Sequence, residues 1–298
     1  MKNILLIGQF TDISGYGNAV RSYFRNLKNL HNSDKIELKI LNYSFEAKSD
    51  ISQEEKDEIS KFSLIEDLSI LGGRYKDYNN IIEEYLEKDY KLILFLTNDH
   101  LVSGKGSDKL FFNSGFLNLN LLVRKSLKTF PCVVWETDRP PKLWLEAYKE
   151  EKVDHLICAC TWNSEIFNQY SGIDSTVVPY CLKDTESIDQ EILNKINRVT
   201  NNNFTFCSVG QWNDRKGFDL LLRAFYTEFY SQEVFLIMKT YASRAIAGKN
   251  EKASLNNEIL KIKNSINHYG NNFDPKCKII LLTDLMDKDK INSIIIER

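Results

Sequence analysis

The sequence predicts an α/β protein built as two successive layers of parallel sheet, residues 1–184 and residues 185–298. Three observations carry this reading. Short apolar runs rich in β-branched residues recur along the chain, and segments of helical periodicity separate them. The alternation halts at a polar stretch, "KDTESIDQEILNKINRVTNNN" (Lys183–Asn203), and then restarts. Strands that alternate with helices call for a parallel sheet covered on both faces. The length of 298 residues also exceeds the roughly 100–200 of an ordinary single domain.

The elements follow in order. "NILLIG" (Asn3–Gly8) is a strand, and Asn18–Leu30 places Val20, Tyr23, Phe24, Leu27 and Leu30 on one helical face. "KIELKILNY" (Lys35–Tyr43) alternates as a second strand. Tyr78–Glu87 reads as a helix. "YKLILFLT" (Tyr90–Thr97) and "PCVVWE" (Pro131–Glu136) read as strands buried on both faces. "DHLICACT" and "STVVPY" are further strands, with a helix at Glu165–Tyr170 between them. The second layer gives "FTFCSVG", "VFLIMKT" and "KIILLTD" as strands. Its helices are "FDLLLRAFYTEF", "LNNEILKIKNSI" and a last one beginning in "DKDKINSIII". Three strands are few for such a sheet, so the second layer is expected to be incomplete, with an exposed edge that a partner or a second copy could cover.

Composition narrows the function. Hydrophobic residues are 43% and charged residues 27%, an ordinary globular mix. Lys+Arg number 39 against Asp+Glu 41, a net charge of -2. No broad field addresses nucleic acid or an anionic membrane, so an anion site has to be local. The six cysteines, Cys132, Cys158, Cys160, Cys181, Cys207 and Cys277, lie mostly in apolar runs, as free thiols of a reducing compartment do. Cys158 and Cys160 are expected to share one strand face, and neither a second cysteine pair nor a histidine cluster completes a metal site. "MKNILLIG" is too short for a signal peptide, and no run approaches the ~18 apolar residues of a membrane span. The expectation is a cytoplasmic protein, with peripheral membrane contact left open.

Three stretches carry chemistry. "GQFTDISGYGNAVRSYF" takes a strand through a loop with Gly15 and Gly17 into a helix, where backbone N–H groups can meet an anion. As a dinucleotide fingerprint it lacks the third glycine, because Val20 occupies that place. "SVGQWNDRKGFDLLLRAF" puts Arg215 and Lys216 before a helix N-terminus, which carries roughly half a positive charge and so disfavours cations. A bound phosphate explains the pair better than a plain turn. "VVWETDRPPKLW" ends a strand in Glu136, Asp138 and Arg139 ahead of Pro140 and Pro141, a stiff loop able to hold a base and an anion clamp. "TNDH" (Thr97–His100) ends another strand with one histidine.

Taken together and in this order, the stretches resemble the retaining GT-B glycosyltransferases of the family-4 type. "SGYGNAVRSYF" resembles that family's glycine loop and "CTWNSEIFNQYSGIDSTVVPYCLKD" its domain-closing segment. "SVGQWNDRKGFDLLLRAF" resembles its donor-phosphate motif, and "IILLTDLMDKDKINSI" the strand and helix beside the nucleotide base. The resemblance implies two Rossmann-like domains facing across a cleft, the second incomplete, and transfer of a sugar from a UDP- or GDP-linked donor to a glycan or lipid-linked acceptor hydroxyl. It implies bacterial polysaccharide or glycoprotein assembly as the setting, and no metal requirement. Arg215 and Lys216 would hold the donor diphosphate, and Gly15 and Gly17 would offer it backbone N–H groups. Glu136 and Asp138 would stand at the acid/base position, and Thr283, Asp284 and Leu285 would run past the base. Three departures stand beside these. Gln211 takes a position where many members have arginine, the acceptor loop has no histidine, and the family's paired glutamates would come after Arg298. The alternative expectation is therefore a non-catalytic relative that binds or scaffolds, or an inactive fragment.

Overall fold

The computed structural model describes residues 2–12, 15–42, 51–65, 78–86, 90–96, 119–181, 188–242, 250–266, 274–284, 286 and 288–295. The chain divides into two compact units, Met1–Lys183 and Asp184–Arg298.

The first unit runs β1 (Lys2–Gly8), α1 (Gly15–Asn32), β2 (Ile36–Asn42), α2 (Gln53–Phe62), α3 (Tyr78–Tyr85), β3 (Leu92–Leu96) and α4 (Leu119–Arg124). It continues through β4 (Thr129–Val133), α5 (Lys142–Glu150), β5 (Leu156–Cys158), α6 (Thr161–Ser171) and β6 (Ser175–Val177). The strands form one parallel sheet in the order β2-β1-β3-β4-β5-β6. Alternate residues of β1 face opposite cores. Ile4 and Leu6 pack with Ala19, Val20 and Phe24 of α1, whereas Leu5 and Ile7 pack with Ile93, Phe95, Val133, Tyr148 and Phe167. Burial on both faces is what the continuous apolar runs predict for a parallel sheet. Strand order reverses between β1 and β3, and at such a point an open sheet offers a crevice outside the strand C-termini.

The second unit runs α7 (Gln190–Thr200), β7 (Thr205–Trp212), α8 (Phe218–Glu228), β8 (Phe235–Ala242), α9 (Glu251–Ser265), β9 (Lys278–Leu282) and α10 (Lys288–Ile295). Its strands are parallel in the order β7-β8-β9. Leu236 and Met238 face Phe218, Leu222 and Phe225 of α8 and Leu255 and Ile259 of α9. Ile237 and Ile280 face the opposite way, toward Ile196 of α7 and Ile294 of α10.

Four sequence expectations change. The polar stretch between the layers holds α7. Asp189 caps it by accepting from the Ile192 N–H at 3.0 Å, and Leu193, Ile196 and Thr200 give it a buried stripe. The helix expected from Asn18 begins at Gly15, so both glycines lie in its first turn. α6 begins at Thr161 and not at Glu165. Cys158 and Cys160 share no strand face, because β5 ends at Cys158 and Cys160 is the exposed N-cap of α6. α2 is an element that periodicity does not announce, since Ile59 is its single buried residue. Among the described residues no helix is long and apolar enough to cross a membrane.

Candidate functional site

The second unit gathers its candidate residues at one edge of its sheet, the C-terminal ends of β7, β8 and β9. β7 passes through a single turn of 3-10 helix, Asp214–Lys216, before α8 begins. Asn213 shapes this turn. Its Oδ1 accepts from the Lys216 N–H at 3.1 Å, and its Nδ2 donates to Gln211 Oε1 at 3.2 Å. Gly217 then reverses the chain at φ 63°, in the left-handed region that a side chain disfavours. Trp212 and Phe218 stack across the turn with centroids 5.2 Å apart and planes 5° from parallel.

The asparagine cap is spent on the 3-10 turn, and α8 has no side-chain cap of its own. The first N–H groups of a helix need acceptors and favour negative charge. Two cations, Arg215 and Lys216, stand exposed beside that N-terminus, together with the carboxylates of Asp214 in the turn and Asp219 in the first turn of α8. None of the ion pairs among the described residues involves Lys216. Open helix donors and a nearby cation form a place for an anion.

β8 and β9 end beside this turn. Gly210 pairs with Thr240, and Lys239 pairs with Leu282. Thr283 is half-buried and Asp284 exposed directly after β9; Leu285 lies outside the described residues. Thr240 escapes sequence reading. It is fully buried, and its Oγ1 finds no hydrogen-bond partner among the described residues. The signal for it is the polar pair Lys239-Thr240 inside the apolar run of "FLIMKTYA".

The first unit places its candidates at the C-terminal edge of its own sheet. Gly15 is exposed in the first turn of α1, and a Cβ there would meet nothing within 4 Å. Gly17 is buried, and a Cβ on it would lie 2.0 Å from the Asp12 carbonyl oxygen. Gly17 is thus needed where the loop crosses the helix. Gly8 has a matching reason, because a Cβ there would lie 2.5 Å from Val20 Cγ2. In the dinucleotide fingerprint the third glycine, on the helix, allows close helix–strand packing. Here the glycine stands on the strand and the valine on the helix.

The loop between β1 and α1 is tied down by residues that the sequence does not single out. Arg21, 6% exposed, donates through Nη1 to the carbonyls of Phe10 at 2.6 Å and Asp12 at 2.8 Å. Its Nη2 donates to Asn18 Oδ1 at 2.7 Å, and its Nε faces Glu55 Oε1 of α2 at 3.8 Å. Burial pushes the guanidinium below its usual range, and the Glu55 carboxylate opposes that shift. From the other side Asn42 accepts from the Phe10 N–H at 3.1 Å and donates to Thr11 Oγ1 at 3.3 Å.

Glu136 and Asp138 are both exposed in the loop after β4. Trp135 Nε1 donates to Thr137 Oγ1 at 2.7 Å and to the Arg139 carbonyl at 2.6 Å. Buried Asn163 donates to the Trp135 carbonyl at 2.8 Å. These bonds hold the backbone that carries both carboxylates. β4 lies two strand spacings from β1, about 10 Å. Thr97–His100 lie outside the described residues.

No family model and no curated protein matches this sequence. Solved structures do match the fold. HepE of Anabaena, in complex with UDP and glucose, aligns with 98% of this chain and 71% of its own at TM-score 0.52 and 11% identity. A glycosyltransferase from Rickettsia africae aligns with 98% of this chain and 70% of its own at TM-score 0.53 and 14% identity. An E. coli trehalose-6-phosphate structure bound with UDP-2-fluoro glucose aligns over 98% and 76% at TM-score 0.56 and 11% identity. The fold is GT-B. Identity this low carries the GT-B architecture across and leaves chemistry to the residues of this chain.

Proposed function

We propose that this GT-B chain is a retaining glycosyltransferase of the family-4 type that takes a sugar from a UDP- or GDP-linked donor. The observation that carries the reading is the turn between β7 and α8. It sets Arg215 and Lys216 beside a helix N-terminus without a side-chain cap. The HepE neighbour is solved with UDP and glucose, and the E. coli neighbour with UDP-2-fluoro glucose, which supports a nucleotide-sugar donor.

Donor cleavage leaves a diphosphate, so negative charge builds on the leaving oxygen as the anomeric C–O bond breaks. Preorganised donors and cations aimed at that oxygen lower the barrier. Lys216, Arg215 and the α8 amides supply them. The acceptor hydroxyl forms the new bond to the anomeric carbon on the face that the leaving group vacates, which preserves configuration. Its proton passes to the departing phosphate oxygen or to a carboxylate at the Glu136–Asp138 loop. No protein nucleophile enters this step, and the charge stabilisation is assigned to side chains and amides rather than to a metal ion. Thr283, Asp284 and Leu285 are assigned to the nucleotide base. A glycan or lipid-linked acceptor, a cytoplasmic setting at the membrane face and self-association through the sheet edge complete the proposal.

Calorimetric titration of the whole chain with UDP, GDP and ADP tests the reading. A diphosphate that binds the native chain and is lost in both Arg215→Ala and Lys216→Ala supports it, and the preferred base names the donor. Binding of equal strength in Lys216→Ala would remove the site. Diphosphate binding without sugar transfer would favour a non-catalytic relative, for which Gln211 in place of the family's arginine is the motive.

A further inference from the structure

The buried Thr240 hydroxyl is the group in the second unit that the fold leaves unexplained. Its Oγ1 has no hydrogen-bond partner among the described residues, and the residue is 0% exposed. Burying a hydroxyl without a partner forfeits its bonds to water, so each such group calls for an account. Packing alone does not supply one, because valine has the same shape and would incur no such penalty.

The position is specific. Side chains alternate along β8, so Thr240 shares a face with Leu236 and Met238, which pack against α8 and α9. It is the polar member of that row and stands near the C-terminal end, with only Ala242 beyond it on that face. Its neighbour across the ladder is Gly210, which has no side chain to fill the space beside it. A Cβ built on Gly210 would lie 3.8 Å from Phe218 Cζ and 4.0 Å from Cγ and Cδ of Lys216. The Phe218 ring and the Lys216 stem thus lie over the bare Cα of Gly210 with room for a bonded methyl group, and an unbonded oxygen, which must stand farther from that carbon, fits only once the Lys216 stem moves aside. Phe218 is also the first residue of α8, the helix without a side-chain cap.

We infer that the Thr240 hydroxyl donates a hydrogen bond to a phosphate oxygen of the nucleoside diphosphate, the oxygen entering the space beside Gly210 as the Lys216 side chain swings outward onto the same phosphate. The inference rests on the donor reading and extends it to a residue on a different strand. The α8 amides that follow the same turn, the Lys216 ammonium and the Thr240 hydroxyl can all donate. A phosphate has enough acceptor oxygens to take all three at once. Lys216 is exposed and long, so its displacement needs no backbone movement.

The test pairs two readouts on the full chain: urea unfolding, and calorimetric titration with UDP and with GDP. Thr240→Val removes the hydroxyl and keeps the shape. Its unfolding midpoint should equal or exceed that of the native chain, while diphosphate affinity falls about tenfold, the loss of one charge-assisted bond. Thr240→Ser should keep affinity within about threefold. Gly210→Ala places a methyl group in the space at ordinary contact distances, so it should fold and lose affinity as Thr240→Val does. Unchanged diphosphate affinity in Thr240→Val overturns the inference and leaves the donor reading standing. A Thr240→Val chain that is both less stable and weaker-binding also overturns it, because the hydroxyl then serves the fold, as it would through a bridging water. A native chain that binds neither UDP nor GDP overturns the donor reading itself, and this inference with it.

Discussion

Two strand-to-helix connections look alike in sequence and are built in opposite ways. Each follows a parallel strand, contains glycine and leads into an amphipathic helix. Between β1 and α1 every backbone group bonded by Arg21 and Asn42 is committed inside the protein. Between β7 and α8 the single asparagine cap closes only the 3-10 turn, and the helix behind it has no side-chain cap. The first connection buries its cation, while the second exposes both of its own. A cation placed to satisfy carbonyls is a structural part. A cation held beside open N–H groups costs a little stability, which the proposed donor phosphate would offset. The difference separates a loop that is shaped from a turn that is kept available.

Replacing Arg21 should show the largest effect. Arg21→Ala leaves the Phe10 and Asp12 carbonyls and the Glu55 carboxylate without their buried partner. Each carbonyl left unsatisfied costs about 1–3 kcal/mol, and two lose their donor together, while Glu55 keeps Arg25 at 3.9 Å. Denaturant unfolding should show that loss, and Arg21→Lys should recover only part of it, because an ammonium cannot span both carbonyls and Asn18 in one plane. A change below about 0.5 kcal/mol, the range of ordinary surface substitutions, would break the comparison.

The glycines come next. Gly17→Ala drives a methyl group to 2.0 Å from a carbonyl that Arg21 already holds, an overpacking expected to cost about 1–3 kcal/mol. Gly8→Ala meets only the Val20 side chain. Val20→Ala removes both methyl contacts and leaves the Val20 Cβ at 2.9 Å, so it should relieve Gly8→Ala in part, giving a coupling of about 0.5–1 kcal/mol in a double-mutant cycle. The same Val20→Ala should do nothing for Gly17→Ala. Additivity in the first pair would mean that strand and helix adjust without strain.

Much of this was legible in the sequence, and the limits have physical causes. The strands were readable because parallel strands buried on both faces become unbroken apolar runs such as "NILLIG" and "VFLIMKT". Arg215, Lys216 and Gly217 were readable because their spacing is local to one turn. α7 was not, because its buried stripe of Leu193, Ile196 and Thr200 is thin and its composition polar. Arg21 was hidden because an arginine amid helical periodicity reads as surface, and its acceptors lie 9 and 11 residues away. Thr240 left one signal, the polar pair Lys239-Thr240 inside an apolar run, but that pair does not show that the hydroxyl lacks a partner. Glu136 and Asp138 were expected at the end of a strand running to Glu136, but β4 stops at Val133 and both stand in the loop beyond it, held by an indole and an asparagine that the sequence does not single out.

Alkaline unfolding sharpens the comparison from beneath the tied connection. Burial pushes the Cys132 thiol up to about 12 and the Cys158 thiol up to about 11. Cys132 packs in the cluster that holds α1. An unfolded thiol titrates near 8.5, so above that pH the unfolded chain releases protons that the folded chain keeps. Stability should be full below about pH 8.5 and should fall as pH rises from there toward 11 and 12. Urea midpoints across that range measure it, and Cys132→Ala should flatten the slope. Thiol alkylation at neutral pH should reach the exposed Cys160 and Cys181 first. Early labelling of Cys132 would mean that the core beneath α1 opens readily.

The smallest expected effect is the most informative about the open turn. Lys216→Ala removes an exposed side chain that enters no ion pair among the described residues. The backbone bond to Asn213 survives the change, since it uses the Lys216 N–H and not the ammonium. Relieving a cation beside a helix N-terminus should even help slightly, by about 0.3 kcal/mol at low salt, fading as salt screens it. Unfolding midpoints with and without added salt, in the absence of nucleotide, read this directly. A neutral or stabilising change would mean that the fold has no use for Lys216. A loss of more than about 1 kcal/mol would make the turn a structural part like the other connection. The two would then differ only in exposure.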